Sequence, residues 1–188
     1  RSRGRGDVYK RQKEHKEIQF FLYGAGYQEE DLKKYKEEHH IDNVHFKGRV
    51  NKRFIPGILS RGNLNMLTGP SDRVSEYGMS MNKMFDYMAS GHPTLSNIQT
   101  RNDIFVDNHC GMTIEAGSPQ AMADGILKFA QMDPAEYETY CHNATETVKE
   151  YDFGYLTDRL EEILKERLQT AERIKHDVEA WLNMIPQR

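Results

Sequence analysis

Short apolar runs alternate with segments of helical periodicity along most of the chain, and this alternation limits the fold more than any other sequence feature. The runs have the composition of buried strands and stop at glycine or polar residues; they are residues 18–23, 44–47, 64–67, 94–96 and 111–114. Alternating strands and helices favour an α/β fold in which helices cover both faces of a parallel sheet.

The clearest helical segment follows the third run. Met81, Met84, Phe85 and Met88 stand at i, i+3, i+4 and i+7, which predicts one continuous apolar face turned toward the core. Ser80 is the predicted N-cap of this helix. Glycine and proline shortly after residue 90 are expected to end it.

The open side of this helix carries Asn82, Lys83 and Asp86. The N–H groups and partial positive charge of a helix N-terminus favour anions, Gly78 lets a ligand approach the backbone, and Lys83 adds a full charge. The pattern therefore predicts a phosphate or diphosphate site, with Asp86 one turn deeper as an acceptor for sugar hydroxyls. The alternative is an ordinary surface helix with a weak Lys83–Asp86 ion pair.

Ligands of parallel α/β sheets bind beyond the carboxyl ends of the strands, so the loops there are the candidate site. These loops lie at Gly24–Gly26, after Gly48, and from Thr68 to Ser80. Gly24 and Gly26 resemble the start of a dinucleotide-binding fingerprint, but Glu29 stands where its third glycine belongs. The two glycines serve either close approach to a ligand or simply a tight turn.

Composition excludes several classes of protein. The 188 residues carry a formal charge of −3, which is not the strongly basic balance of a nucleic-acid-binding domain. No run approaches the roughly 20 apolar residues of a membrane span. Cys110 and Cys141 fit neither a secreted disulfide scaffold nor a structural zinc site, so we expect a reducing cytoplasm. The histidines show no ligand spacing, and no metal site is expected.

Three segments of the chain differ in character. Residues 1–12 are strongly basic, lack apolar periodicity, and are interpreted as a disordered, non-native tail. Residues 13–166 carry the α/β pattern. Near-helical spacing of apolar residues continues after Asp152, and residues 167–188 are expected to extend one long amphipathic helix. Its apolar stripe must be buried: through Leu164 it can pack on its own domain, and beyond Arg167 it is expected to need a missing domain or a partner.

The run SMNKMFDYMASGHPTL, which starts at Ser80, resembles the donor-site helix of retaining GT-B glycosyltransferases of family 4. It is most similar to the branch with the pattern Ser-x-x-Lys-Leu-Phe-Glu-Tyr-Met-Ala-x-Gly-Lys-Pro, which includes N-acetyl-L-fucosamine-type transferases of bacterial surface polysaccharides. The blocks FFLYGAGYQEEDLKKY, IDNVHFKGRV and GMTIEAGSPQAMADGI occur in the family's order, and the similarity covers residues 17–166.

The resemblance implies a Rossmann-like C-terminal domain that binds a nucleotide-diphosphate sugar. By this similarity Gly24 and Gly26 would lie near the donor. Arg49 and Val50 would line the pocket for the base, through backbone contacts.

The resemblance also implies roles within the helix. Ser80, Asn82 and Lys83 would meet the diphosphate and the sugar, and Lys83 would be the catalytic residue of this half because it stabilises the leaving diphosphate. Asp86 takes the place of the second glutamate of the family's paired-glutamate motif and would bind the ribose. Gly78 stands where that motif has its first acid.

The implied function is the donor-binding half of a retaining, metal-independent and cofactor-free glycosyltransferase. It would move a hexose-type sugar from a nucleotide sugar, with UDP preferred over GDP, to a surface-polysaccharide or glycolipid acceptor. The family's acceptor domain precedes this region, so the chain resembles an N-terminally truncated fragment that is inactive alone. The intact enzyme is expected in the cytoplasm, brought to the inner face of the membrane by its acceptor, with no nucleic-acid partner.

Three alternatives stay open at the level of sequence. One is another GT-B enzyme, such as a nucleotide-sugar epimerase. A second is a non-catalytic scaffold with a nucleotide-binding-like fold, whose long helix docks a partner. A dinucleotide-dependent oxidoreductase is the least favoured because the glycine fingerprint is incomplete.

Overall fold

The structure is a computed structural model that describes residue 15, residues 17–69 and residues 75–184. The basic tail predicted at residues 1–12 lies outside the described residues. The chain divides into two compact units, with the boundary between Val148 and Lys149. The first unit holds the described strands, and the second consists mainly of one long helix.

The strands of the described ranges coincide closely with the apolar runs of the sequence. They are β1 (Phe20–Tyr23), β2 (Val44–Gly48), β3 (Asn65–Leu67), β4 (Thr94–Ser96) and β5 (Gly111–Thr113). The helices are α1 (Glu29–Glu38), α2 (Ile55–Leu59), α3 (Asn82–Ala89), α4 (Ile104–Asp107), α5 (Pro119–Ala130), α6 (Pro134–Lys149) and α7 (Phe153–Met184), with 3-10 turns at Lys52–Phe54 and Ser75–Tyr77.

Each strand pairing in the described ranges is parallel, which confirms the predicted α/β class. The strands form two sheets: β1 pairs with β2, and β4 lies between β3 and β5. The central strand β4 is completely buried at Thr94, Leu95 and Ser96. A strand with neighbours on both edges and apolar layers on both faces is the usual core of a parallel sheet.

Two apolar clusters cover opposite faces of the three-stranded sheet, since consecutive side chains of a strand point to opposite sides. Leu67 belongs to one cluster, together with Met84 and Met88 of α3, whereas Met66 and Leu95 pack into the other. The second cluster receives its helical members from α5 and α6. The predicted apolar face of α3 is thereby confirmed, with Met84 and Met88 buried.

The expectation that β1 is a buried strand was wrong for most of its length. Phe20 packs into the core cluster around Leu95, but Phe21, Leu22 and Tyr23 are exposed. Phe21 lies on the opposite face from Phe20, where it stacks on the ring of His45 with 5.0 Å between ring centroids. An apolar composition alone does not reveal whether a strand is covered on both faces or on one.

A short helix, α4, lies between the fourth and fifth apolar runs of the sequence. Asp103 is its N-cap, and its Oδ1 accepts hydrogen bonds from the N–H groups of Phe105 and Val106 at 3.1 and 3.3 Å. Phe105 is completely buried in the core cluster that contains Leu67, Met84 and Met88, here called the α3 cluster. One turn of helix is too short to show periodicity, so the cap was the available signal.

The second compact unit confirms the predicted long amphipathic helix. The 32 residues of α7 span about 48 Å at 1.5 Å per residue. Its described side chains are exposed, including the leucines and isoleucines of its apolar stripe. No helix in the described ranges combines the length and apolar character that a bilayer crossing requires.

Candidate functional site

The loops that follow β1 and β2 are joined directly. The N–H of Gly24 donates a hydrogen bond to the C=O of Gly48 at 2.8 Å. A shift in the β1–β2 register between Leu22 and Tyr23 brings Tyr23 opposite Gly48 and creates this contact. Gly24, Gly26 and the chain that leaves β2 at Arg49 therefore lie at one edge of the two-stranded sheet.

The glycines of the first loop differ in their backbone requirement. Gly24 has φ +136, a conformation that L side chains rarely adopt, whereas Gly26 has no positive φ. A Cβ at either position would meet nothing within 4 Å. The loop thus has an open surface above it, and backbone geometry requires glycine only at position 24.

Arg49 and Val50 leave β2 on the exposed side of the loop. Neither side chain has a hydrogen-bond or ion-pair partner in the described part of the chain. The side chain of Asn51 accepts a hydrogen bond from the N–H of Arg53 at 3.1 Å and starts the 3-10 turn that leads into α2. This cap holds the backbone next to Arg49, and the side chain of Arg49 is exposed to solvent.

The helix α3 begins at Asn82, so the prediction that Ser80 is its N-cap was wrong. Met81 occupies the cap position in an extended conformation, and its C=O accepts from the N–H of Met84 at 2.9 Å. The N–H of Met81 points to the sulfur of Met84 at 3.4 Å. Both methionines pack on the core cluster, and this packing fixes the start of the helix without a hydroxyl cap.

The polar face of α3 has the orientation that the sequence predicted. Asn82 and Lys83 are exposed and Asp86 is half-buried, on the side opposite the buried Met84 and Met88. Within the described ranges Lys83 forms no ion pair with Asp86 or with any other acid. The weak Lys83–Asp86 ion pair, the alternative that the sequence left open, is therefore not formed, and Lys83 carries its charge in the first turn of the helix.

The opposite end of α3 is tied to β3 by buried polar groups. The side-chain amide of Asn65 donates to the C=O of Tyr87 at 3.3 Å, to Oγ of Ser90 at 3.1 Å and to the C=O of His92 at 3.4 Å. Burial raises the pKa of the Tyr87 hydroxyl, and the charge of Asp86 adds to the effect. These contacts hold the helix axis against the sheet and so fix where Asn82 and Lys83 lie.

The loops after β3 and β4 are also linked at the carboxyl edge of the three-stranded sheet. The N–H of Gly69 donates to Oδ1 of Asn97 at 3.0 Å, and the N–H of Asn97 donates to the C=O of Leu67 at 3.2 Å. A Cβ at Gly69 would stand 2.7 Å from Cδ1 of Ile98, so a side chain at position 69 would force Ile98 to shift. Ile98 itself packs in the α3 cluster.

Sequence reasoning missed two residues at this edge. The guanidinium carbon of Arg101, in the loop after β4, lies 5.6 Å from the centroid of the Tyr77 ring. Tyr77 precedes Gly78, which has φ +137 and turns the chain toward α3. The position of Arg101 beyond the carboxyl end of a parallel strand was the signal that could have identified it.

The structure thus gathers the predicted site residues into two groups. Gly24, Gly26, Arg49 and Val50 form one group beyond β1 and β2. The other lies at the start of α3 and consists of Ser80, Asn82, Lys83 and Asp86. The helix α2, which follows the first group along the chain, packs against α3, but no hydrogen bond or ion pair joins the two groups in the described ranges.

The described residues contain no group of three or more histidine, cysteine or carboxylate side chains that could hold a metal ion. Lys83 lies in the first turn of α3, and Arg101 lies over the ring of Tyr77 in the stretch that precedes this helix. The start of α3 can hold an anion through Lys83 and the first N–H groups of the helix, and Asp86 can accept hydrogen bonds beside it.

Solved structures share this fold. Sucrose-phosphate synthase from Thermosynechococcus elongatus matches with a TM-score of 0.62 and 17% identity over 81% of this chain and 39% of its own. HepE from Anabaena, solved in complex with UDP, matches with a TM-score of 0.57 and 19% identity over 79% of this chain and 41% of its own. TarM from S. aureus, solved with UDP among its ligands, matches with a TM-score of 0.63 and 22% identity over 87% of this chain and 31% of its own.

The chain spans about two fifths or less of the length of these structures. At such identities they establish the fold alone. A search of curated proteins finds no relative. The profile of the family described as "Glycosyl transferases group 1" matches residues 7–132, which is more than half of the chain. The protein therefore belongs to the group 1 glycosyltransferases.

Proposed function

We propose that this chain is the donor-binding half of a retaining glycosyltransferase and that its ligand is a UDP-sugar. The observation that carries the proposal is Lys83 at the N-terminus of α3, beyond the carboxyl edge of the sheet, which is exposed and has no ion-pair partner among the described residues. The structures of HepE with UDP and with UDP-glucose support a nucleotide sugar as the donor class.

The chemistry that this half supplies is stabilisation of the leaving group. When the bond between the anomeric carbon and the diphosphate oxygen breaks, negative charge grows on the diphosphate. In this proposal Lys83 and the N–H groups of Asn82 and Lys83 stabilise that charge, and a preorganised positive environment lowers the barrier most when water is excluded. The proposed reaction needs neither a metal ion nor a cofactor.

The remaining residues bind different parts of the donor. The open backbone at Gly24 and Gly26 allows the donor to approach closely, and the backbone at Arg49 and Val50 lines the pocket for the base. Asp86, half-buried one turn into α3, accepts hydrogen bonds from the ribose hydroxyls. Ser80, exposed immediately before the cap residue, offers its hydroxyl to the sugar or to a phosphate oxygen.

The finer identity of the enzyme also belongs to this proposal. The pattern from Ser80 onward supports a hexosyltransferase of the family 4 branch that contains N-acetyl-L-fucosamine-type transferases. Its acceptor would be a surface polysaccharide or a glycolipid, which would hold the enzyme at the inner face of the cytoplasmic membrane. A partner domain would supply the acceptor site, and this chain alone would bind the donor weakly and transfer nothing.

Calorimetric titration of the full chain with UDP and GDP tests the proposal. We expect UDP to bind more tightly than GDP and Lys83→Ala to weaken binding of UDP about 10- to 100-fold, the loss typical of a charged hydrogen bond. Lys128→Ala, which removes an exposed lysine from α5, is the matched control and should leave binding unchanged. A folded chain that binds no nucleotide would refute the donor-half proposal.

A second comparison tests the assignment of Asp86. UDP and 2′-deoxy-UDP differ only in one ribose hydroxyl, so the native chain should prefer UDP. Asp86→Asn should reduce that preference while changing the affinity for 2′-deoxy-UDP little. An unchanged preference in the variant would remove Asp86 from the ribose site without affecting the role of Lys83.

A further inference from the structure

A cation and an exposed aromatic ring meet in the loops beyond β3 and β4. The guanidinium carbon of Arg101 lies 5.6 Å from the centroid of the Tyr77 ring, and Tyr77 is 77% exposed. A guanidinium over an aromatic face is held there by electrostatic attraction to the ring. The contact therefore presents a positive charge of restricted position beside an open aromatic surface.

The two segments that make this contact are anchored on the same core. Ile98 and Ile104, three residues on either side of Arg101, pack in the α3 cluster. Met79 and Met81, which precede α3, pack in that cluster as well. Because one core holds both segments, Arg101 lies beside the stretch of chain that leads into the proposed diphosphate site.

The chain between Tyr77 and α3 leaves space for a ligand. Gly78 has φ +137, and a Cβ built there would meet nothing within 4 Å. Without a side chain at position 78, a ligand that covers the Tyr77 ring can also approach the backbone. The open space lies along the chain between Tyr77 and Ser80, so it adjoins residues that are proposed to bind the donor.

The loop after β4 has hydrogen-bonding capacity that the described protein does not use. The side chain of Arg101 is exposed and forms no hydrogen bond or ion pair in the described part of the chain. Oγ1 of Thr100 is buried and has no hydrogen-bond partner within the same ranges. Most buried polar groups in proteins are paired, so an unpaired hydroxyl next to an unpaired guanidinium favours a ligand at this loop.

The chemistry of these groups fits a carboxylate on a sugar. A guanidinium binds a carboxylate through two parallel hydrogen bonds, and an arginine stacked on an aromatic ring is already partly ordered for this contact. The exposed ring of Tyr77 offers an apolar face that a pyranose ring can cover. The diphosphate has its proposed cationic partner in Lys83, so the second cation is available for a charge elsewhere on the donor.

We propose that Arg101 and Tyr77 form a subsite for the sugar of the donor and that they select a UDP-hexuronic acid, whose sugar ring carries a carboxylate. The inference rests on the proposed function and narrows its donor from any hexose-type sugar to an acidic one. Arg101 binds the carboxylate, and Tyr77 packs against the sugar ring. No bond forms or breaks at this subsite, so it sets the preference for the donor.

Calorimetric titration of the full chain with UDP, UDP-glucose and UDP-glucuronic acid tests the subsite. The two sugars differ only in the carboxylate, so we expect UDP-glucuronic acid to bind about tenfold more tightly than UDP-glucose. Arg101→Gln should remove that preference and change the affinity for UDP by less than about twofold. Arg101→Lys should keep part of the preference, since an ammonium attracts the carboxylate without the paired hydrogen bonds of a guanidinium.

Two further variants make the test specific. Arg61→Gln removes an exposed arginine that precedes β3, at the amino edge of the sheet, and should leave the affinity for all three ligands unchanged. Tyr77→Ala should weaken both UDP-sugars by about three- to tenfold relative to UDP, because it removes the ring that packs against the sugar. Circular dichroism verifies that each variant keeps its helices.

The outcomes distinguish this subsite from the proposed function. Tighter binding of UDP-glucuronic acid that is lost in Arg101→Gln supports the subsite. Equal affinities of the native chain for the two UDP-sugars would overturn the subsite, and the donor-half proposal would stand if UDP still bound. An equal loss of affinity for all three ligands in Arg101→Gln would mean that Arg101 binds the diphosphate, and it would also overturn the assignment to the sugar. A folded chain that binds none of the three would refute both proposals.

Discussion

The N–H of Gly24 donates to the C=O of Gly48 at 2.8 Å, and this one bond joins the loops that leave β1 and β2. Both residues have positive φ, +136 and +66. The close approach of the two loops therefore depends on backbone conformations that residues other than glycine rarely adopt, and not on side-chain packing.

Alanine substitutions in the first loop should distinguish the effect of backbone conformation on stability from the effect of the space available for a side chain. Gly24→Ala is expected to lower the free energy of unfolding by about 1–2 kcal/mol, because its φ of +136 is unfavourable for an L residue. Gly26→Ala should cost nothing, since its φ is not positive and a Cβ would meet open space. Urea unfolding measures both, and equal stability of the two variants would contradict this account of the loop.

Serine substitutions should show which helix starts depend on a hydroxyl. Ser118 caps α5 by accepting from the N–H of Ala121 at 3.1 Å, so Ser118→Ala should destabilise the protein by about 1 kcal/mol. Ser80→Ala should change stability by less than about 0.5 kcal/mol, because Met81 occupies the cap position of α3. A cost for Ser80→Ala as large as that for Ser118→Ala would show that Ser80 caps α3 in solution.

A double-mutant cycle should show no coupling between Lys83 and Asp86. The structure forms no ion pair between them in its described ranges, so the effects of Lys83→Ala and Asp86→Ala on stability should add within about 0.5 kcal/mol. The pair Lys33 and Glu29 on α1, with Nζ and Oε1 3.0 Å apart, is the positive control, with a small coupling expected. Coupling at Lys83 above that of the control would mean that its charge is not free for a ligand.

The buried thiol of Cys110 should make stability sensitive to alkaline pH. Burial raises the pKa of Cys110 to about 11 from an ordinary value of 9.0. Because the folded-state pKa is the higher one, the contribution is fully present below pH 9 and is lost as the pH rises toward 11. Urea unfolding between pH 8 and 11 should show a steeper loss for the native chain than for Cys110→Ala. Parallel pH profiles would contradict the burial of this thiol.

The parts of the fold with a repeating pattern could be predicted from the sequence. The stripe of Met84 and Met88 set the face of α3. The boundary at Ser80 could not be predicted, because packing of Met81 against the core overrode the preference of serine for a cap.

Only those parts of the site that lie within a single helix or loop could be predicted from the sequence. The pattern placed Asn82, Lys83 and Asp86 on one open face, which the structure shows. The contact of Arg101 with Tyr77 joins two loops that are separated in sequence, and no local periodicity reports such a contact. The exposure of Phe21 was missed for a similar reason, since burial depends on what other elements cover.

The order of strands in the larger sheet has a consequence for how the chain folds. Asn65 pairs with Thr94, only 29 residues away, and Thr94 pairs with Gly111, 17 residues further on. Each strand of this sheet thus finds its partner nearby in sequence, so few residues must be restrained to close each loop. During synthesis the described strands of this sheet are complete once residue 113 has left the ribosome, and none of them pairs with β1 or β2 in the described ranges. Assembly of the buried strand β4 can therefore precede the arrangement of the loops that follow β3 and β4.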